Sequence, residues 1–117
     1  HKSTSAMEWN EMTTLKDLEN ALSSSFQGPI MIFKHSTRCP VSSMAKRMTE
    51  QGWRHTQITA HFLDLIAYRE VSHAIAQDLG IHHESPQLIL IKNGQATQVQ
   101  SHHGIDPALL DATFTAE

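Results

Sequence analysis

Two short runs contain no polar residue: Ile30-Met31-Ile32-Phe33 and Leu88-Ile89-Leu90-Ile91. A strand with one wetted face alternates polar and apolar residues, whereas a strand apolar at every position is buried on both faces. Both runs are too short for helices, and turn signals precede them, Gly28-Pro29 and Ser85-Pro86. A sheet buried on both faces needs helices above and below it, which commits the chain to α/β layering.

The intervening segments supply those helices. Leu15, Leu18, Ala21 and Leu22 recur at helical spacing after Thr13 and Thr14, either of which can cap the first turn. Val41, Met44, Ala45 and Met48 predict a second one-sided helix with Pro40 at its first position, ending near Gly52. Ile66, Val71, Ala74, Ile75 and Leu79 predict a third, ended by Gly80. A short strand is expected at Phe62-Leu63-Asp64-Leu65, and Met7-Glu8-Trp9 is a candidate first strand. Asn93-Gly94 is a two-residue hairpin signal leading into alternation through Ala96-Thr97-Gln98-Val99-Gln100. Asp106 as cap, Pro107 and the stripe Leu109, Leu110, Phe114 predict a final helix. Parallel pairing early and an antiparallel hairpin late describe a thioredoxin-like three-layer sandwich, a mixed central sheet flanked by helices.

At 117 residues the chain suits one domain with one core, expected over residues 7–117. Residues 1–6, His1-Lys2-Ser3-Thr4-Ser5-Ala6, read as a flexible tail or an expression remnant. The formal charge of −3 leaves no broad footprint for nucleic acid, although Lys34, Arg38, Lys46 and Arg47 cluster in sequence as a small positive patch. No apolar run approaches a membrane span. The single cysteine rules out an intrachain disulfide framework and favours a cytoplasmic location. A monomer is expected.

That cysteine, Cys39, falls where the first apolar run ends and the second helix begins. Backbone donors and the macrodipole at a helix start favour an anion, and Arg38 acts in the same direction. With a free pKa near 8.5, about 3% of a thiol is ionised at pH 7; a pKa of roughly 6 raises this to about 90%, for about 3.4 kcal/mol of differential stabilisation. A helix end contributes ~0.3–1 kcal/mol, so neighbouring charge and hydrogen bonds must supply the rest. The competing reading, an inert buried thiol, sits poorly with polar neighbours on both sides. Ser42 stands three residues onward, where a dithiol motif has its resolving cysteine; its hydroxyl can donate to the thiolate or cap the helix. One-cysteine chemistry of this kind needs an external thiol.

Other candidates are weaker. Ser85-Pro86 would face Cys39 in this fold, and a cis bond there would turn the Ser85 backbone toward an incoming thiol or peptide. Nine histidines raise the question of metal. Yet His82-His83 and His102-His103 are adjacent pairs that point to opposite faces of a strand, and only one thiolate is available to join His35, so no metal site is expected. His102-His103-Gly104 can line the thiol cleft from the end of the last strand, or simply face solvent.

Three segments, Phe33-Lys34-His35-Ser36-Thr37-Arg38-Cys39-Pro40-Val41-Ser42, Asp64-Leu65-Ile66-Ala67-Tyr68-Arg69 and Gly80-Ile81-His82-His83-Glu84-Ser85-Pro86-Gln87, resemble the monothiol bacilliredoxin family of Firmicutes, the YtxJ-like group. The resemblance covers roughly Met7 to Phe114; arginine precedes the cysteine and valine replaces isoleucine in the usual T-C-P-I-S stretch. It implies a cytoplasmic thiol–disulfide oxidoreductase that uses bacillithiol, a glucosamine–malate–cysteine thiol, as co-substrate and bacillithiol-modified proteins as clients, with no tightly bound cofactor. Cys39 then maps to the active-site cysteine, Ser42 to the position lacking a resolving thiol, and Pro86 to the cis-proline. Arg38, Pro40 and Ser42 would support the thiolate or the helix start, and Lys34, His35, Thr37, Ser85, Pro86 and His103 would contact the bound thiol or client. Two other functions compete: an iron–sulfur carrier bridged through Cys39 of two chains, disfavoured by the absence of C-G-F-S, and a redox sensor or adaptor whose Cys39 is modified without turnover.

Overall fold

Apolar runs and helical stripes assemble in the order β1 (Trp9–Glu11), α1 (Leu15–Ser24), β2 (Ile30–His35), α2 (Pro40–Gly52), β3 (Thr59–Asp64), α3 (Arg69–Leu79), β4 (Gln87–Lys92) and β5 (Gln95–Ser101). This is a computed structural model that describes residues 7–117, so the tail expected at residues 1–6 lies outside the described residues. The sheet order is β1-β3-β2-β4-β5. The first three strands in that order are mutually parallel, and β4 runs antiparallel to both β2 and β5.

Both faces of the central strands are buried, as their uninterrupted apolar character requires. Ile30 and Ile32 of β2 and Ile89 and Ile91 of β4 pack with Leu18 and Ala21 of α1 and Val71 and Ile75 of α3. Met31, Phe33, Leu88 and Leu90 face the other way, onto Ala45 of α2, Trp53, Ile105 and Leu110. The result is the thioredoxin-like three-layer sandwich, with α1 and α3 on one side and α2 on the other.

Local chemistry sets the element ends. Thr14 and Asp17 form a reciprocal capping box at the start of α1. Gly80 closes α3 in the left-handed region, φ 65°. Asn93 and Gly94 take φ of 52° and 76°, the paired positive values of a type I′ hairpin, between β4 and β5.

The final helix expected from Asp106 to Phe114 does not form. Asp106 does cap, accepting from the Ala108 N–H, but Pro107–Leu109 makes only a 3-10 turn and the chain continues without regular structure. Side chains of β5 take up backbone groups that a helix would pair internally. Gln98 accepts from the Asp111 N–H and donates to the Leu109 carbonyl, and Gln100 does the same with both groups of Asp106. Leu110 is buried, whereas Leu109 is 66% exposed.

Smaller differences follow the same logic. β1 begins two residues later than Met7, because its parallel register matches Trp9 with Ala60. β3 starts at Thr59 and stops before Leu65. The third helix begins at Arg69 rather than Ile66, since the Asp64 carboxylate accepts from the Ile66 and Ala67 N–H groups and holds them in a turn.

Candidate active site

The topology gathers three strand ends at one end of the sheet. Lys34 of β2 pairs with Gln87 of β4, which pairs with Ser101 of β5, so the loop after β2, the residue before β4 and the turn after β5 are neighbours. The Ser85–Pro86 bond is cis. The Pro86 carbonyl accepts from the His102 N–H at 3.0 Å, which ties the β5 end to the proline loop.

Cys39 is the N-cap residue of α2, in extended conformation, and its side chain makes no capping hydrogen bond. Its sulfur is therefore not committed to the helix start, and the residue is partly exposed. Pro40 occupies the first helical position, where a missing N–H costs nothing. The backbone around the thiol is held on both sides, with the Cys39 N–H donating to the Ser36 carbonyl at 3.2 Å and the Ser43 N–H to the Cys39 carbonyl at 3.1 Å. Thr37 and Arg38 are exposed at the rim.

Ser42 has a different setting. It is fully buried, its Oγ accepts from the Ser36 N–H at 2.9 Å, and it lies 2.8 Å from His35 Nδ1. The hydroxyl is thus taken up beneath the Ser36–Cys39 loop, and among the described residues it makes no hydrogen bond to Cys39. His35 is itself buried, packed against both Phe33 and Phe62 at ring separations of 6.3 and 5.4 Å. Burial, reinforced by the Lys46 charge, pushes its pKa down and favours the neutral ring.

The expected positive patch is divided by the fold. Lys34 precedes His35 on β2 and so points to the opposite face of the sheet. There it is fully buried, with Nζ 2.7 Å from His83 Nδ1 and 3.5 Å from the Ser72 carbonyl. Burial lowers its pKa to about 8. Lys46 is engaged by Glu50 at 2.8 Å and lies over the Phe62 ring, and Trp9 Nε1 donates to the same Glu50 oxygen at 2.6 Å. Arg38 and Arg47 remain exposed.

On the α2 flank nearer β5, Val41, Met44, Ala45 and Met48 form one wall of a groove of about 170 Å³, and His102, His103 and Ile105 form the other. Met44 and Met48, predicted as part of the helix's apolar stripe, are 56% and 53% exposed there. His102 and His103 occupy a 3-10 turn after β5 rather than the strand, and His102 Nδ1 lies 3.3 Å from Glu84. Ser85 Oγ is buried at the proline loop and has no hydrogen-bond partner among the described residues. The Ser36–Ser42 link was not anticipated from the sequence, because six residues of separation say nothing about contact until the loop is folded.

A family profile described as monothiol bacilliredoxin BrxC matches residues 10–110. The chain belongs to the monothiol bacilliredoxin family. Bacilliredoxin membership implies a thiol-redox role, and the single cysteine is consistent with its monothiol form. Solved structures similar to this bacilliredoxin agree on the fold. A thioredoxin-fold protein described as an oxidoreductase superposes with a TM-score of 0.75 at 22% identity, over 86% of this chain and 88% of its own. Thioredoxin from Malassezia sympodialis gives 0.69 at 18% identity, over 92% and 89%. Thioredoxin from Nicotiana alata gives 0.67 at 16%, over 87% of each chain.

Proposed function

We propose that this bacilliredoxin removes bacillithiol from mixed disulfides on cytoplasmic proteins, with Cys39 as the attacking thiol. The observation that carries the reading is the setting of the lone cysteine in a chain of this family: partly exposed, at the start of α2, with a sulfur that caps nothing. Pro40 starts the helix directly behind the thiol, and Arg38 is exposed beside it.

The Cys39 thiolate attacks the bacillithiol sulfur of the modified client. A Cys39–bacillithiol disulfide forms as the client's disulfide breaks, and the client leaves as a thiolate that takes up a proton. A second bacillithiol thiolate then attacks the bacillithiol sulfur held on Cys39, releasing bacillithiol disulfide and returning the Cys39 thiolate. Ser42 cannot resolve the adduct, having a hydroxyl already engaged by Ser36 and His35. The cis Ser85–Pro86 bond turns the Ser85 backbone toward the incoming thiol, Thr37 and Arg38 form the rim, and His103 the groove wall. Arg38 is assigned to the malate carboxylates.

Reduced protein mixed with a bacillithiol-modified client and followed by intact mass tests this directly. The modification should move from the client to Cys39 and then be discharged by free bacillithiol. A client that keeps its modification refutes the reading, and an adduct that free bacillithiol cannot discharge replaces turnover with sensing.

A further inference from the structure

Lys34 is a buried cation without an anion. Its side chain is fully buried, yet among the described residues no carboxylate meets its ammonium, whose partners are the His83 ring and the Ser72 carbonyl. An ammonium carries three donors, and two are placed. Proteins rarely leave such a group uncompensated, because removing a charge from water costs several kcal/mol unless an opposite charge is supplied.

The two partners of Lys34 are also walls of an open hollow of about 510 Å³ beside α3. Arg69, Ser72, His73 and Ala76 follow one another at helical spacing along that wall, with Leu65 at one end and His83 opposite. Arg69, His73 and His83 therefore surround the hollow above Lys34, against the single carboxylate of Glu70. Arg69 makes no ion pair among the described residues, and Tyr68, the N-cap of α3, offers no side-chain acceptor to the first-turn amides. The field of these groups is felt by His83, whose protonation is disfavoured by burial first and then by Lys34, His82 and Arg69, with Glu84 acting the other way. Leu65 and Ala76 add an apolar strip.

We propose that this hollow binds a small organic anion, its carboxylate or phosphoryl head held by Arg69 and His83, with the buried Lys34 ammonium behind the His83 ring adding its charge, and a short apolar tail lying on Leu65 and Ala76. The site is on the sheet face away from α2, so it is separate from disulfide exchange at Cys39.

The full chain, labelled with ¹⁵N and ¹³C, is titrated by NMR with inorganic phosphate and, separately, with butyrate at constant ionic strength. Saturable shifts at the His73 and His83 rings and the Ser72 amide are expected with at least one probe, and which probe saturates identifies the head group. Arg69→Gln, a change at an exposed position, should weaken the apparent affinity roughly tenfold, and Lys34→Met, which removes the charge behind His83, should weaken it as well. Shifts that grow linearly with both probes overturn the proposal. So do saturable shifts that persist at full strength in Arg69→Gln, a result that stands even if Lys34→Met does not fold.

Discussion

Lys34 and His35 are adjacent on one strand, equally hidden from water, and chemically opposite in outcome. On the α2 face, His35 has a pKa pushed down by burial, is bonded to the buried Ser42 hydroxyl, and packs against the Phe33 and Phe62 rings. On the α3 face, Lys34 has only neutral acceptors and a pKa lowered to about 8. The first face pairs Ser42 with Ser36 and His35 beneath a thiol that caps nothing; the second holds a charge that no carboxylate meets among the described residues. The period-2 geometry of a strand makes this separation, and it assigns sequence neighbours to different sites.

The largest test of the comparison is Cys39→Ser. It should abolish transfer of bacillithiol from client to protein, measured by intact mass, while leaving the anion titration beside α3 unchanged. Loss of both would join the two faces into one site.

Next is the pH dependence of Lys34. Its folded pKa, about 8, is below the ordinary 10.5, so the unfolded chain binds more protons between those values and stability rises with pH across that window. The rise should reach roughly 3 kcal/mol. Urea denaturation at pH 7.5 and pH 10.5 should show it in the wild type and show it removed in Lys34→Met. A parallel dependence in the two proteins would mean that Lys34 is not the uncompensated group.

Ser42→Ala should cost about 1–3 kcal/mol, because the Ser36 N–H and the His35 ring lose their buried partner. Client reduction should remain measurable, since no proton or sulfur passes through this hydroxyl. A loss as complete as in Cys39→Ser would contradict that division. The same pair also gives an acid limit. His35 has a depressed pKa, so stability present above pH 6.5 should fall as pH drops through that value, and the fall should be shallower in His35→Phe.

The smallest effect is expected at Arg38, which is exposed and screened. Arg38→Ala should slow exchange with a bacillithiol-modified client by about threefold at low salt and less at high salt. An unchanged rate at every ionic strength would leave the malate carboxylates to another residue.

How much of this was legible in advance varies by element. The runs at Ile30–Phe33 and Leu88–Ile91, the Asn93-Gly94 hairpin and the Pro40 helix start lie where local pattern put them, because each is specified within a few residues. The helix expected at Asp106–Phe114 had a valid cap and stripe, yet Gln98 and Gln100, contributed by a strand and lying six to thirteen residues earlier than their partners, bind its backbone instead. Met44 and Met48 fitted an apolar stripe, but spacing alone does not say which edge of a stripe is covered. At the site, Cys39 could be singled out from its neighbours. The Ser36–Ser42–His35 link and the Lys34–His83 pair depend on contacts across 6 and 49 positions, which no local signal encodes.

By itself, the order of residues determined the layering, the single thiol and its place at a helix start. These follow from side-chain periodicity and from which backbone groups a proline or a cap can satisfy. Only the tertiary structure decided that two neighbouring basic residues serve different faces and that the serine after the thiol is closed off. It also left the buried Lys34 without a counter-charge among the described residues. Burial and pairing are properties of the whole packed chain, and electrostatic cost is set by what surrounds a group rather than by what precedes it.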